Sequence, residues 1–105
     1  MINITLYDNG FEIEGHAGYA QKGSDIICAA VSALSQTCRI SITELAGYEP
    51  VCEEKDGYMK LMCADVNEVI RVLLKSFELG VAAVNENYAG FIKIVRFVRR
   101  KGDII

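Results

Sequence analysis

Residues 2–7, INITLY, alternate apolar and polar, which sets Ile2, Ile4 and Leu6 on one face of an extended strand. Residues 11–16, FEIEGH, alternate again with Phe11 and Ile13 inward. Between them Asp8-Asn9-Gly10 is a tight-turn sequence, because Asn-Gly tolerates positive φ. The two runs predict a β-hairpin, and residues 17–24, with Gly18, Gly23 and Ser24, predict a loop after it. The period then changes. Ile27, Val31, Leu34 and Cys38 recur at helical spacing, and Ile26, Ala30 and Ala33 widen the stripe. This predicts a helix that begins at Ser24 or Asp25, both good caps, and runs to about Ala46. Gly47 is placed to end it, with Pro50 soon after. Residues 51–55 and 58–63 flank Asp56-Gly57 and predict a second hairpin with a type I′ turn. Ala64-Asp65 then opens a second helix, with Asp65 and Glu68 at the spacing of a capping box. Its stripe, from Val66 and Val69 through Phe77 to Val84, continues to about Asn85. Residues 91–98, FIKIVRFV, predict a last strand.

The order ββαββαβ is most economically folded as an α+β two-layer sandwich, two helices packed on a mixed or antiparallel sheet. At 105 residues the chain predicts a single domain, 1–105. A domain of this size buries roughly 60–70% of its unfolded surface, enough for a core without a metal or disulfide staple. Hydrophobic residues at 51% against 24% charged place it in the globular class. One proline and the absence of low-complexity tracts argue for order away from the ends.

The net charge of −3 weighs against a general nucleic-acid binder, which normally carries a basic field, so no direct nucleic-acid role is expected. Arg96, Arg99, Arg100 and Lys101 form a local exception. They are read either as a solvated strand end and tail or as a docking patch for something anionic, such as ribosomal RNA. The N-terminal residues lack a basic stretch followed by an apolar one, and no apolar run approaches the ~18 residues of a membrane span. The expected location is cytoplasmic, with no membrane partner and with free thiols, because that compartment is reducing.

Candidate chemistry gathers in residues 14–32, EGHAGYAQKGSDIICAAVS, which hold the chain's only histidine and one of its four cysteines. A thiol is an effective nucleophile as thiolate. Cys28 stands three or four residues past the expected cap, where free backbone N–H groups and the helix dipole favour negative charge. His16 could pair with it as a base, and glycines at 15, 18 and 23 would let the intervening loop fold back. Backbone N–H groups of Cys28 and its neighbours could serve as an oxyanion hole. The bland reading is also open: a free cysteine at a helix start is often a small core residue. Asp25 either orients His16 or caps the helix. Ser32, one turn after Cys28, either bonds near the site or back to the carbonyl of residue 28. Cys38 lies about 280° around the helix from Cys28 and so on another face, and Cys52 and Cys63 fall in hairpin strands. With no C-x-x-C and one histidine, no metal site is expected, and neither phosphate-binding glycine motif occurs, so no cofactor is expected.

The stretch GHAGYAQKGSDIICAAVSAL resembles the signature of the ribosomal-processing cysteine protease family, Prp, in its histidine, its glycine-containing spacer and its D-I-I-C-A-A-V-S block. The resemblance covers essentially the whole chain in length and element order. It implies a homodimeric cysteine endopeptidase acting in ribosome biogenesis. Such an enzyme removes an N-terminal extension from a large-subunit ribosomal protein, the twenty-seventh in the usual count, cutting after a Phe-Phe pair. Carried over, Cys28 is the nucleophile, His16 the general base, and Asp25 and Ser32 the supporting residues. Gly15, Ala17, Gly18, Tyr19 and Gly23 belong to the loop that covers the peptide. Tyr19, Tyr88 and Met59 are candidate apolar walls for the two phenylalanines. The rival reading is a ribosome-associated module that holds a peptide without cutting it.

Overall fold

The computed structural model describes residues 1–21 and 23–97. Seven elements occur in the expected order: β1 (Ile2–Tyr7), β2 (Gly10–Glu14), α1 (Ile26–Ala46), β3 (Val51–Lys55), β4 (Tyr58–Met62), α2 (Glu68–Asn87) and β5 (Ile92–Arg96). The strands form one sheet in the order β3-β4-β2-β1-β5. β5 runs parallel to β1 and the other pairs are antiparallel, so the sheet is mixed.

Register explains the core. Ile94, Ile4, Ile13 and Met59 are cross-strand neighbours in one row, and Leu6, Phe11 and Leu61 in the next. Side chains alternate along a strand, so both rows share a face. That face is covered by Ile27, Val31, Cys38 and Ile42 of α1 and by Ile70, Phe77 and Val81 of α2. The rings of Phe11 and Phe77 stack at 4.0 Å, joining sheet to helix; such a pair contributes about 0.5–1.5 kcal/mol beyond its buried area. The other face carries polar groups: Tyr58 donates its hydroxyl to Glu12 at 2.6 Å, and Thr5 and Lys60 lie in the same row as Glu12. α1 is long and apolar enough by composition to cross a membrane, but its inward stripe is buried against the sheet, as in an ordinary core helix.

Local geometry departs from expectation in four places. Neither Asn9 nor Gly10 adopts positive φ; Tyr7 pairs with Gly10, and Gly10 is already a strand residue. At the second hairpin only Gly57 is left-handed (φ 70), so the turn is not type I′, which requires positive φ at Asp56 too. α2 starts at Glu68 with Asn67 as its cap, and the Asp65–Glu68 capping box does not form. Residues 63 and 64 are already committed elsewhere: Cys63 donates its N–H to the carbonyl of Asn9 at 2.8 Å, and Ala64 donates to the Tyr48 hydroxyl at 2.7 Å. Finally, β2 stops at Glu14, β4 at Met62 and β5 at Arg96. Val98, Arg99, Arg100 and Lys101 lie outside the described residues. Arg96 itself is ion-paired with Glu78 and reaches Asp8 at 3.9 Å.

Candidate active site

The site begins where β2 ends. Gly15 has φ 99, and a Cβ there would fall 2.5 Å from the carbonyl oxygen of Met1, so the chain turns off the sheet at a residue that must be glycine. The Gly15 N–H donates to the carbonyl of Gly57 at 2.8 Å. His16 is therefore past the strand rather than its last residue, solvent-exposed, with its imidazole against the turn of the second hairpin.

The loop after His16 folds back onto the start of α1. Gly18 and Gly23 both take positive φ, as the loop reading required. The Tyr19 ring meets Phe91 edge-on at 5.2 Å and Tyr88 at 5.9 Å. Asp25 ties loop to helix. Its Oδ1 accepts the N–H groups of Ile27 and Cys28, each at 3.0 Å, and its Oδ2 accepts those of Tyr19 at 3.0 Å and Ala20 at 3.3 Å. The side chain is only 8% exposed. These bonds, that of Cys28 foremost, hold its carboxyl below the ordinary value of 3.8. Asp25 thus caps the helix and clamps the loop; among the described residues no hydrogen bond joins it to His16.

Cys28 is half-buried, in the first turn of α1. Its Sγ accepts the N–H of Ala17 at 3.4 Å, so the residue beside His16 touches the thiol. One part of the expectation is corrected. The N–H groups of Ile27 and Cys28 are donated to Asp25 and that of Ala29 to the Asp25 carbonyl, so the helix start does not present them to a substrate.

His16 and Cys28 line one open cleft of about 520 Å³ between α1 and the β3–β4 hairpin. Gly15, Gly18, Gly23, Asp25, Ser32 and Met59 line it too, whereas Ala17, Tyr19 and Tyr88 do not. Ser32 stands in the wall; its carbonyl accepts the Ser35 hydroxyl at 3.0 Å. Sequence reasoning missed the opposite wall. Residues 54–58 line the cleft together with Cys28, and Glu54 among them accepts from Gln36 of α1. The only local signal there is the Asp56-Gly57 turn, which says nothing of its distance from residue 16. The remaining cysteines are free thiols outside the cleft lining. Burial pushes Cys38 up to about 12 and raises Cys63 as well. Among the described residues no group of three or more His, Cys, Asp and Glu is gathered for a metal ion.

A thiol and an imidazole share a surface cleft on this α+β sandwich, and these are the two groups that a cysteine hydrolase uses. Comparison with known proteins narrows the class. The family model for cysteine protease Prp matches residues 1–93, and the chain belongs to that family. The ribosomal processing cysteine protease Prp of Bacillus subtilis (strain 168) is 25% identical over 107 residues, 90% of this chain and 96% of that protein. A solved protein from Streptococcus mutans is 31% identical, with a TM-score of 0.80 over 94% of this chain and 96% of that one. The essential ribosomal processing protease Prp from S. aureus, solved with a covalently linked product peptide, has a TM-score of 0.88 at 22% identity, covering 92% of this chain and all of that one. It shares the fold.

Proposed function

We propose that this chain is an endopeptidase that removes the N-terminal extension of a large-subunit ribosomal protein, the twenty-seventh, by cutting after a Phe-Phe pair. Cys28 is the nucleophile and His16 the base. The observation that carries the reading is the Ala17 N–H on Cys28 Sγ at 3.4 Å, which brings the loop of His16 onto the thiol inside one cleft. The likeness to enzymes whose names give ribosomal processing, one of them solved with a substrate peptide, supplies the substrate class.

In the reaction, the Cys28 thiolate attacks the scissile carbonyl carbon and forms a C–S bond. The C–N bond then breaks as the His16 imidazolium gives its proton to the leaving amine. Water, deprotonated by His16, attacks the thioester, and the new carboxyl end leaves with the thiol restored. The N–H groups of Ile27 and Cys28 are held by Asp25 and that of Ala17 by Cys28 Sγ, so the oxyanion is not assigned to any of these three donors.

The reading includes a cytoplasmic location, in keeping with four free thiols, and a homodimer. An exposed apolar stripe on α2, Val69, Val72 and Leu79, is where a second copy would sit. The test is incubation with the extended ribosomal protein. One product, shortened by the extension through Phe-Phe, is the expected mass. Intact substrate that co-elutes with the chain would replace the enzyme with a binding module.

A further inference from the structure

We propose that Gly57, at the tip of the second hairpin, is a positioning residue for His16. The inference rests on reading His16 as the base, and it concerns a residue far away in sequence. A Cβ at Gly57 would fall 2.8 Å from His16 Nε2, 3.3 Å from Cε1 and 3.5 Å from Cδ2. The Nε2 end of the imidazole therefore occupies the space that a Cβ at residue 57 would fill. The same residue holds the backbone beneath the ring, because its carbonyl accepts the Gly15 N–H at 2.8 Å. One turn thus fixes both the backbone before His16 and the seat of its ring.

The ordinary explanation of this glycine is its left-handed φ of 70. The fold supplies a control for that explanation. Gly47 has nearly the same φ, 66, but a Cβ built there meets nothing within 4 Å. Gly47→Ala therefore carries the backbone strain without the imidazole contact, and Gly57→Ala carries both.

The experiment compares the two variants. His16 is the only histidine, so its ring C–H resonances report its seat without ambiguity. In Gly57→Ala they are expected to move, and kcat/KM on a peptide spanning the cleavage site to fall about tenfold or more through misplacement of the base. In Gly47→Ala the resonances and kcat/KM are expected to stay as in the parent, although both variants melt lower. A folded Gly57→Ala with unmoved His16 resonances overturns the proposal. If instead the resonances move but His16→Ala still cleaves at the parent rate, the seat stands and the reading of His16 as base falls. Should Gly57→Ala not fold, the double variant His16→Ala/Gly57→Ala decides. Recovered folding identifies the ring as the obstacle, and failure to recover overturns the proposal.

Discussion

A hairpin, a connection and a helix occur twice in this chain, and the two copies share the geometry of the helix start. In the first, Asp25 Oδ1 accepts the N–H of Cys28, the third residue of α1, at 3.0 Å; in the second, Asn67 Oδ1 accepts that of Ile70, the third residue of α2, at 2.9 Å. The residues held by that shared cap have different fates. Ile70 is 1% exposed and belongs to the core, whereas Cys28 faces a cleft. The connection in the first copy is residues 15–25, long enough to carry His16 and fold over the thiol; in the second it is residues 63–67. The first cap is a carboxylate with a second oxygen free to hold that loop through Tyr19 and Ala20. A longer connection and one extra acceptor on the cap accompany the change from a core position to one that opens on a cleft.

The largest effect expected from breaking this difference is chemical. Cys28→Ala or His16→Ala should lower kcat/KM on a peptide across the Phe-Phe site more than about a thousandfold, with an unchanged melting profile. Full cleavage by Cys28→Ala would end the proposed role of the thiol. The matching change in the second copy, Ile70→Ala, should do the reverse. It costs about 2–5 kcal/mol of stability by leaving a cavity, read by denaturant unfolding, while activity per folded molecule is kept.

The same two copies differ in how much could be read from residues alone. Element order and the two-layer plan were legible because each element has its own local pattern, and α1 is capped by Asp25 and closed by Gly47 as their types suggest. The start of α2 was not legible, because Asp65 and Asn67 are equally good caps by type. Asn67 prevails because Cys63 and Ala64 are tied to Asn9 and Tyr48, far away in sequence. In the site, Cys28 and His16 could be singled out because their types carry chemistry. The roles of Asp25 as loop clamp and of Gly57 under the imidazole could not, since each depends on a fold-back that leaves no periodic trace.

A smaller effect is expected from making the first cap resemble the second. In Asp25→Asn one of the two acceptor oxygens becomes an NH₂ donor, so either the helix bonds or the loop bonds are lost. kcat/KM should fall about tenfold as the loop loosens from Cys28, with Tm lower by roughly 4–8 °C. The pH dependence of that Tm difference is the sharper reading. The folded carboxyl titrates below its ordinary 3.8, so its stabilisation is fully present above that value and is lost as pH falls through the folded one. The gap between parent and Asp25→Asn should thus be widest at pH values well above the ordinary 3.8 and close as pH falls below it through the folded value. A gap that stays constant through that range would show that the charge of Asp25 contributes nothing to the clamp.

The smallest effect comes from making the second cap resemble the first. Asn67→Asp keeps the acceptor for Ile70 and adds a negative charge at the N-terminus of α2, where the helix dipole favours it. Because residue 67 is exposed and Glu68 beside it is already negative, the gain should be only about 0.3 kcal/mol at low salt and should vanish as salt screens it. The second oxygen of the new carboxylate has no loop to hold, since residues 63–67 are already tied at 63 and 64. Chemical denaturation at low and high salt measures the difference. A stabilisation that persists at high salt would mean that this carboxylate has captured backbone N–H groups as Asp25 does, and that the long first connection is not what makes such a clamp.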